Sequence, residues 1–210
     1  MKLSKEWYNL NSKYTYDNNL ISQFYSEIEK KYNASNRFYH NLDHVEAMLL
    51  ETKKYQNVLN DYDSFLYAIW FHDIIYEPKY NDNEEKSAEC ARKFLNSINY
   101  EKNRINKIID LILRTRDHSN QNINEDIDSQ IFLDCDIIIF ASARANYLNY
   151  AKSVRNEYSS IPDTIYNKGR IKVLESFLNK PYIFRNKTFQ KLYEKKARKN
   201  VKYEIKMLLK

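Results

Sequence analysis

The sequence predicts an all-α fold, a single-domain helical bundle, and two observations carry this prediction. The 210 residues include one glycine and three prolines. Antiparallel sheets use glycine in their tight turns, so its scarcity favours helices joined by connections rich in Asn, Asp and Ser. Apolar residues also recur every three or four positions through most of the chain, which is the spacing of one helix face. A chain of this length can bury a sizeable core as one domain.

Helices in the first half of the chain are predicted from apolar residues that share a face. In chain order these groups are Leu20, Phe24 and Ile28 in a helix over about 16–33; Leu42, Val45 and Leu49; Phe65, Ile69 and His72; Ala88, Ala91 and Leu95; and Ile105, Ile108, Ile109 and Ile112. Asn41 and Asp82 are predicted N-caps, the second in a capping box with Glu85. The third helix is expected to end near Tyr76, because Pro78 follows.

Four further helices are predicted after a polar stretch at 119–122, which we interpret as a loop. They cover about 129–140, about 143–158, a stretch that begins at Pro162, and the C-terminal residues 185–210. Proline suits the first turn of a helix, whereas Gly169 lowers the helix propensity of the stretch in which it lies.

Positive charge is concentrated at the C-terminal end. Residues 185–210 hold ten Lys and Arg against two Asp and Glu, and the remaining residues hold 24 against 26. Apolar residues at helical spacing predict a helix here that packs on the body with its lysines outward: Phe189, Tyr193, Ala197, Val201, Ile205 and Leu208. A solvated helix face is the favoured interpretation, and nucleic-acid binding is the less favoured one. The domain is predicted to cover 1–210, with its core at about 16–178 and this basic helix packed on it.

Other features bear on the compartment. Cys90 and Cys135 belong to no CxxC motif, which favours a reducing compartment over a disulfide scaffold. The first residues lack the apolar core of a signal peptide, and no apolar run reaches the length of a membrane span. We therefore expect a cytoplasmic protein without a membrane partner. The sequence leaves the oligomeric state open.

The adjacent His72 and Asp73 are the strongest functional signal. They stand inside the otherwise apolar run AIWFHDIIY at 68–76. Burying both side chains is costly without a partner, and a divalent metal is the simplest partner for both. His44 upstream and Asp136 downstream are plausible further ligands, so that three helices would supply the set. Two histidines and two aspartates suit Mn, Fe, Ni, Co, Mg or Zn without selecting among them.

Six short segments carry a family resemblance across most of the chain. They are RFYHNLDH (37–44), WFHDIIY (70–76), NEEKSA (83–88), LDCD (133–136), RNEY (155–158) and ARKN (197–200). With these segments the chain resembles the HD-domain superfamily of metal-dependent phosphohydrolases, and more narrowly a bacterial branch of predicted HD hydrolases. The resemblance implies an all-helical fold of the HD-domain type and leaves the natural substrate open.

The resemblance also implies a site and an activity. On this match His44, His72, Asp73 and Asp136 are the metal ligands. The expected function is hydrolysis of a phosphate ester, with nucleotides among the candidate substrates, by a water that the metal activates. The alternative is a non-catalytic module whose metal centre binds or senses a nucleotide.

Two residues are candidates for the catalytic steps, and four for substrate contact. Asp73 can hold the attacking water while it binds the metal. His118 is a candidate for leaving-group protonation, phosphate contact or a second metal, and it fits a surface or capping role equally well. The candidate substrate contacts, which would offset the charge of a phosphate, are Arg37, His40, Lys79 and Arg116.

Several of these assignments have alternatives. His40 precedes His44 by four residues and could chelate with it, although a structural hydrogen bond at the helix entrance is favoured. Asp134 could replace Asp136 as ligand, and the family pattern favours Asp136. Glu84 either binds a ligand histidine or complements the N-terminus of its helix, and the second is favoured. Four other charged residues are interpreted as members of structural ion pairs: Arg155, Glu157, Arg170 and Arg198.

Overall fold

The computed structural model describes residues 2–118 and 126–210, and within that part of the chain it contains helices and no strands. The predicted all-α fold class is confirmed. The predicted loop at 119–122 lies outside the described residues. The chain divides into two compact units, Met1–Asp117 and His118–Lys210. The HD type of the fold and the predicted domain extent of 1–210 stay predictions.

The first unit consists of helices α1 to α6. Their bounds are α1 Leu3–Asn11, α2 Asn18–Tyr32, α3 Leu42–Thr52, α4 Tyr62–Phe71, α5 Asn83–Ser97 and α6 Lys102–Arg114, with short 3-10 helices at Lys53–Tyr55 and Thr115–Asp117. Helix α5 packs along α6, and α4 contacts α3, α5 and α6. The sequence-based prediction missed α1, which buries Trp7 and Leu10, because nine residues hold too few apolar positions to define a period.

An aromatic cluster forms the core of the first unit. The ring of Trp7 lies 5.4 Å from that of Trp70 and 5.0 Å from that of Phe94, centroid to centroid. The ring of Phe24 lies 4.2 Å from that of Phe94, centroid to centroid, so residues of α1, α2, α4 and α5 meet in one place. Rings packed at such distances stabilise a core beyond the area that they bury. The C-terminal turn of α4, which precedes His72, is therefore held firmly.

Helix α4 ends earlier than predicted. Its last residue is Phe71, and the prediction of an end near Tyr76 was wrong. The residues that follow turn away and find partners on α5: the Ser87 hydroxyl accepts from the Ile75 N–H at 3.1 Å, and the Asn83 side chain accepts from the Glu77 N–H at 3.0 Å. The apolar run continues through this turn, so periodicity alone could not reveal where the helix stops.

The second unit consists of helices α7 to α10. Their bounds are α7 Ile127–Asp136, α8 Arg144–Glu157, α9 Asp163–Leu178 and α10 Lys187–Leu208, with a 3-10 helix at Ile138–Ala141. Thus the single helix predicted over about 129–140 is an α-helix followed by a 3-10 turn. Helix α10 packs against that turn, α8 and α9 and buries Phe189, Ala197 and Val201. These contacts lie within the second unit, and the predicted packing of the basic helix on a single domain stays a prediction.

Charged side chains reinforce the second unit. Arg170 pairs with the buried Glu204 at 2.8 Å, and Arg198 pairs with Glu194 at 2.6 Å. Arg155 binds the carboxylate of Asp163 at 2.6 Å. These three arginines have the structural roles that their sequence context predicted, and Glu157 is buried.

In residues 2–118 and 126–210, no helix combines the length and apolar character that crossing a bilayer requires.

The N-cap of α4 carries a strongly bound carboxylate. Asp61 accepts from Arg104 at 2.6 and 2.8 Å and from the Ser64 backbone and hydroxyl at 3.1 and 2.6 Å. Burial opposes ionisation of this carboxyl, but the hydrogen bonds from Arg104 and Ser64 outweigh it and lower its pKa from 3.8 to about 2. The ionised side chain therefore fixes the start of the helix that leads to His72.

Replacing Asp61 should change the acid stability of the protein. Because the folded-state pKa is depressed, the stabilisation is complete above pH 4 and is lost as the pH falls towards 2; it amounts to about 2 kcal/mol. Asp61→Asn should lower the free energy of unfolding near neutral pH by a similar amount and flatten its decline between those two pH values. Urea unfolding at a series of pH values measures both effects. If the free energy of unfolding of Asp61→Asn fell as steeply as that of wild type between pH 4 and pH 2, the lowered pKa of Asp61 would not be the cause of the acid sensitivity.

Candidate metal centre

His44 is fixed by the start of α3. The Asn41 side chain caps this helix and accepts from the backbone N–H groups of Asp43 at 2.9 Å and His44 at 3.4 Å. His44 is the third residue of the helix, and its side chain is almost fully buried. The predicted N-cap at Asn41 is correct, and it determines where the imidazole projects.

His72 is fixed by the end of α4 and by its own ring. Its backbone N–H donates to the Ala68 carbonyl at 2.9 Å, and its side chain is 1% exposed. The ring Nδ1 lies 2.8 Å from the Ile69 carbonyl oxygen. A carbonyl can only accept, so Nδ1 carries a proton, and in the neutral imidazole Nε2 then has a lone pair. Histidines that bind metals commonly donate their other ring N–H in this way.

Three ligand atoms of the first unit meet at one point. The Nε2 atoms of His44 and His72 lie 3.1 Å apart, and the Asp73 Oδ2 lies 3.1 Å from His72 Nε2 and 4.0 Å from His44 Nε2. Two ligands of one ion with bonds of about 2.1 Å lie about 3.0 Å apart at right angles and cannot exceed about 4.2 Å. All three separations fit one shared cation. The donor set, two imidazoles and a carboxylate, suits a divalent metal.

The Asp73 carboxylate differs from the two imidazoles in exposure. Its side chain is 18% exposed, whereas those of His44 and His72 are 3% and 1% exposed. An ion bound here would thus be enclosed on the imidazole side and reachable past the carboxylate. Catalytic metal sites need such an open position for water or substrate.

Arg37 organises the turn that carries Asp73. Its guanidinium donates to the carbonyl oxygens of His40 and Ile74, each at 3.0 Å, and to that of Asp73. Two tyrosine rings flank it at 5.0 and 5.7 Å from their centroids. The hydrogen bonds to Asp73 and Ile74 reach carbonyl oxygens after the end of α4, beyond the hydrogen bonds of that helix. The predicted substrate contact of Arg37 stays a prediction beside this structural role.

His40 lies next to the histidine pair without joining its triangle of ligand atoms. Its ring stacks on Tyr76 with centroids 4.1 Å apart, and it is 6.2 Å from the ring of His44. Tyr39 covers His44 at 4.9 Å. The rings of Tyr39 and His40 thus both lie beside the His44 imidazole. The arrangement suits the structural alternative for His40, and its substrate contact stays a prediction.

The other two predicted substrate contacts of the first unit occupy different settings. Lys79 is exposed in the connection between α4 and α5. Arg116 pairs with Glu85 and lies 3.5 Å from Glu84, both in the first turn of α5. Glu84 therefore complements a helix N-terminus and faces a cation, in line with the favoured alternative. The substrate roles of Lys79 and Arg116 remain predictions.

The second unit contains a histidine–carboxylate pair. His118 Nε2 lies 2.8 Å from Oδ2 of Asp136, the last residue of α7. Both side chains are about 15% exposed. The other ring nitrogen of His118, Nδ1, is buried and has no hydrogen-bond partner among the residues that the structure describes. The two candidate residues are thus brought together, with one imidazole nitrogen left for another group.

The neighbouring Asp134 is used differently from Asp136. It is fully buried and accepts from the backbone N–H of Arg185 at 2.8 Å and of Asn186 at 2.7 Å. Asn186 is the N-cap of α10, so Asp134 ties α7 to the beginning of that helix. This use of Asp134 agrees with the preference for Asp136 as ligand.

Sequence reasoning missed two cations beside His118. The Lys180 ammonium and the Arg185 guanidinium both donate to the His118 carbonyl, at 3.0 and 2.9 Å. Both lie in the connection between α9 and α10, Lys180 directly before Pro181 and Arg185 four residues after it. Connections often carry functional residues, and Pro181 marks this one in the sequence. Nothing in a single sequence, however, indicates that these cations meet His118.

His44, His72 and Asp136 each carry a side chain of a type that binds metal ions. The two histidines belong to the first unit, and Asp136 belongs to the second. Comparison of the chain with family models, with curated proteins and with solved structures gives no match.

Metal binding should depend on the histidine pair and not on its neighbour. His72→Gln removes one of two buried imidazole ligands and should weaken binding of Mn²⁺, Ni²⁺ and Zn²⁺ by about 100-fold or more. His40→Gln is the matched control, because its ring stacks on Tyr76 outside the triangle, and it should bind within about twofold of wild type. Isothermal titration measures both affinities, and circular dichroism checks folding. Equal affinity of His72→Gln and His40→Gln would exclude the proposed ligand set.

Proposed function

We propose that this protein is a metal-dependent phosphohydrolase that cleaves a phosphate ester, with nucleotides as the first substrates to test. One observation supports the metal centre most: three ligand atoms of His44, His72 and Asp73 lie at separations that suit a single ion. The resemblance of the motifs to HD-domain hydrolases supports the reaction class. We further propose that Asp136 supplies the fourth ligand.

The proposed reaction transfers a phosphoryl group to water. A divalent ion held by these side chains would lower the pKa of a bound water and polarise a phosphoryl oxygen. The oxygen of the water forms the new bond to phosphorus, and the bond from phosphorus to the ester oxygen breaks. The released alcohol takes up a proton, and phosphate is the second product.

Residues of the chain have separate tasks in this proposal. Asp73 orients the attacking water with the carboxylate oxygen that does not bind the ion. His118, oriented by Asp136 at 2.8 Å, gives a proton to the leaving oxygen. Lys180 and Arg185 are proposed to offset phosphate charge, since both converge on the His118 carbonyl. Arg37, His40, Lys79 and Arg116 remain further candidates for substrate contact.

The activity can be tested with a matched pair of variants. Asp73→Asn keeps the shape of the side chain but removes its charge, and should lower metal-dependent phosphate release by about 100-fold or more. Asp63→Asn is the control, because Asp63 is as little exposed, at 17% against 18%, and pairs with Lys13 away from the triangle. It should retain activity within about twofold. Phosphate release from a panel of nucleotides and simple monoesters, with and without added metal, measures this.

The outcomes separate the hydrolase from its alternative. If wild type and Asp73→Asn release phosphate equally, the activity comes from a contaminant. If a nucleotide raises the melting temperature only when metal is present, and no product forms, the site is a sensing module instead. Release that requires metal and is lost only in Asp73→Asn supports the hydrolase.

A further inference from the structure

Helix α10 presents a row of lysines that the proposed hydrolase site does not use. Seven lysines of this helix are exposed: Lys187, Lys191, Lys195, Lys196, Lys199, Lys202 and Lys206. No carboxylate of the described residues lies within 4.0 Å of any of these ammonium groups. In the first unit, by contrast, Lys13 pairs with Asp63 and Lys53 pairs with Glu6. We call the seven residues the lysine face.

The two acidic residues of α10 do not neutralise the lysine face. Glu194 accepts from the Ile183 backbone at 2.9 Å and pairs with Arg198 at 2.6 Å. Glu204 is buried and pairs with Arg170 at 2.8 Å. Both carboxylates are therefore engaged within the second unit. The outer side of the helix carries positive charge alone.

The spacing of the lysines makes this charge continuous. Lys187, Lys191, Lys195 and Lys199 follow one another at intervals of four residues. With a rise of 1.5 Å per residue, neighbouring charges are about 6 Å apart along the axis, and the whole face extends over about 28 Å. A row of like charges on a rigid helix repels itself, and a polyanion with closely spaced charges would relieve that repulsion.

The remaining surface of α10 favours a nucleic-acid backbone over a membrane. Phe189, Ala197 and Val201 of this helix are fully buried in its own unit and cannot enter a bilayer. Leu192 and Met207 are exposed, but the seven exposed lysines outnumber them, so charge dominates this surface. Arg144 lies 4.1 Å above the ring of the exposed Tyr203, so that a face of this ring is already covered. Stacking of the Tyr203 ring on a base is thereby disfavoured, so contacts between lysines and phosphates are the main interaction that this surface can make.

We propose that the lysine face of α10 binds the phosphate backbone of double-stranded nucleic acid without sequence preference. Duplex DNA carries one negative charge per about 1.7 Å of its axis, so a row of about 28 Å meets many phosphates. Ammonium groups on flexible stems suit contacts to phosphates that need no fixed register. This proposal is independent of the hydrolase proposed above.

Fluorescence anisotropy with labelled duplexes of two unrelated sequences, about 20 base pairs long, tests the proposal between about 50 and 200 mM salt. Wild type should bind both duplexes equally, and log affinity should fall linearly with log salt. The triple variant Lys191→Gln, Lys195→Gln, Lys199→Gln should bind at least about tenfold more weakly at about 100 mM salt, with a slope that is smaller by about 3.

Three exposed lysines of the first unit, outside the lysine face, provide the matched control. Lys5→Gln, Lys30→Gln, Lys102→Gln removes the same charge and should change affinity by less than about twofold. Equal weakening by both triple variants would mean that only net charge matters and would overturn the proposal. So would absent or salt-insensitive duplex binding, or binding to vesicles of phosphatidylserine and phosphatidylcholine without duplex binding. His72→Gln should bind duplex as wild type does, which separates this result from the metal centre.

Discussion

The candidate metal centre depends on two buried imidazole nitrogens, His44 Nε2 and His72 Nε2, that lie 3.1 Å apart. His72 Nδ1 donates a hydrogen bond to the Ile69 carbonyl, so in the neutral imidazole His72 Nε2 offers a lone pair. A proton on His44 Nε2 would join the two rings by a hydrogen bond. A divalent cation in its place would bind both lone pairs and also the Asp73 carboxylate, whose Oδ2 lies 3.1 Å from His72 Nε2.

The surroundings hold these side chains before any ion binds. Asn41 fixes the start of α3, and Asp61 with Arg104 fixes the start of α4. Arg37 binds the carbonyls of the turn after α4, and the aromatic cluster behind that helix resists movement. Binding of a metal would then cost little conformational entropy of the side chains, since the ligands are already in position. The second unit orders its own pair in the same manner, through Asp134 and the beginning of α10.

Local signals in the sequence predicted much of this arrangement. The glycine scarcity and the apolar period gave the all-α class, and capping rules placed the start of α3 at Asn41. The end of α4 was not predictable in this way, because Ile74 continues the apolar run and is buried in the turn. That His72 and Asp73 occupy a turn rather than a helix depends on Arg37 and on α5, which are distant in sequence.

Long-range partners explain the other gaps between sequence and structure. Arg37 binds backbone carbonyls, and this structural role was not visible in the sequence because the positions of those carbonyls depend on the folded turn. Lys180 and Arg185 were not singled out, because only folding brings them to the His118 carbonyl. The acidic pair at 134 and 136 illustrates the same limit: both are plausible ligands in sequence, and backbone N–H groups near residue 185 occupy one of them.

Anomalous scattering from crystals of protein purified without chelator and supplied with Mn²⁺ or Zn²⁺ tests the central claim most directly. We predict an anomalous peak about 2.0 to 2.3 Å from the Nε2 atoms of both His44 and His72, with an Asp73 oxygen in the same coordination sphere. A fully loaded crystal in which these imidazoles bind each other, with every anomalous peak elsewhere, would contradict the claim.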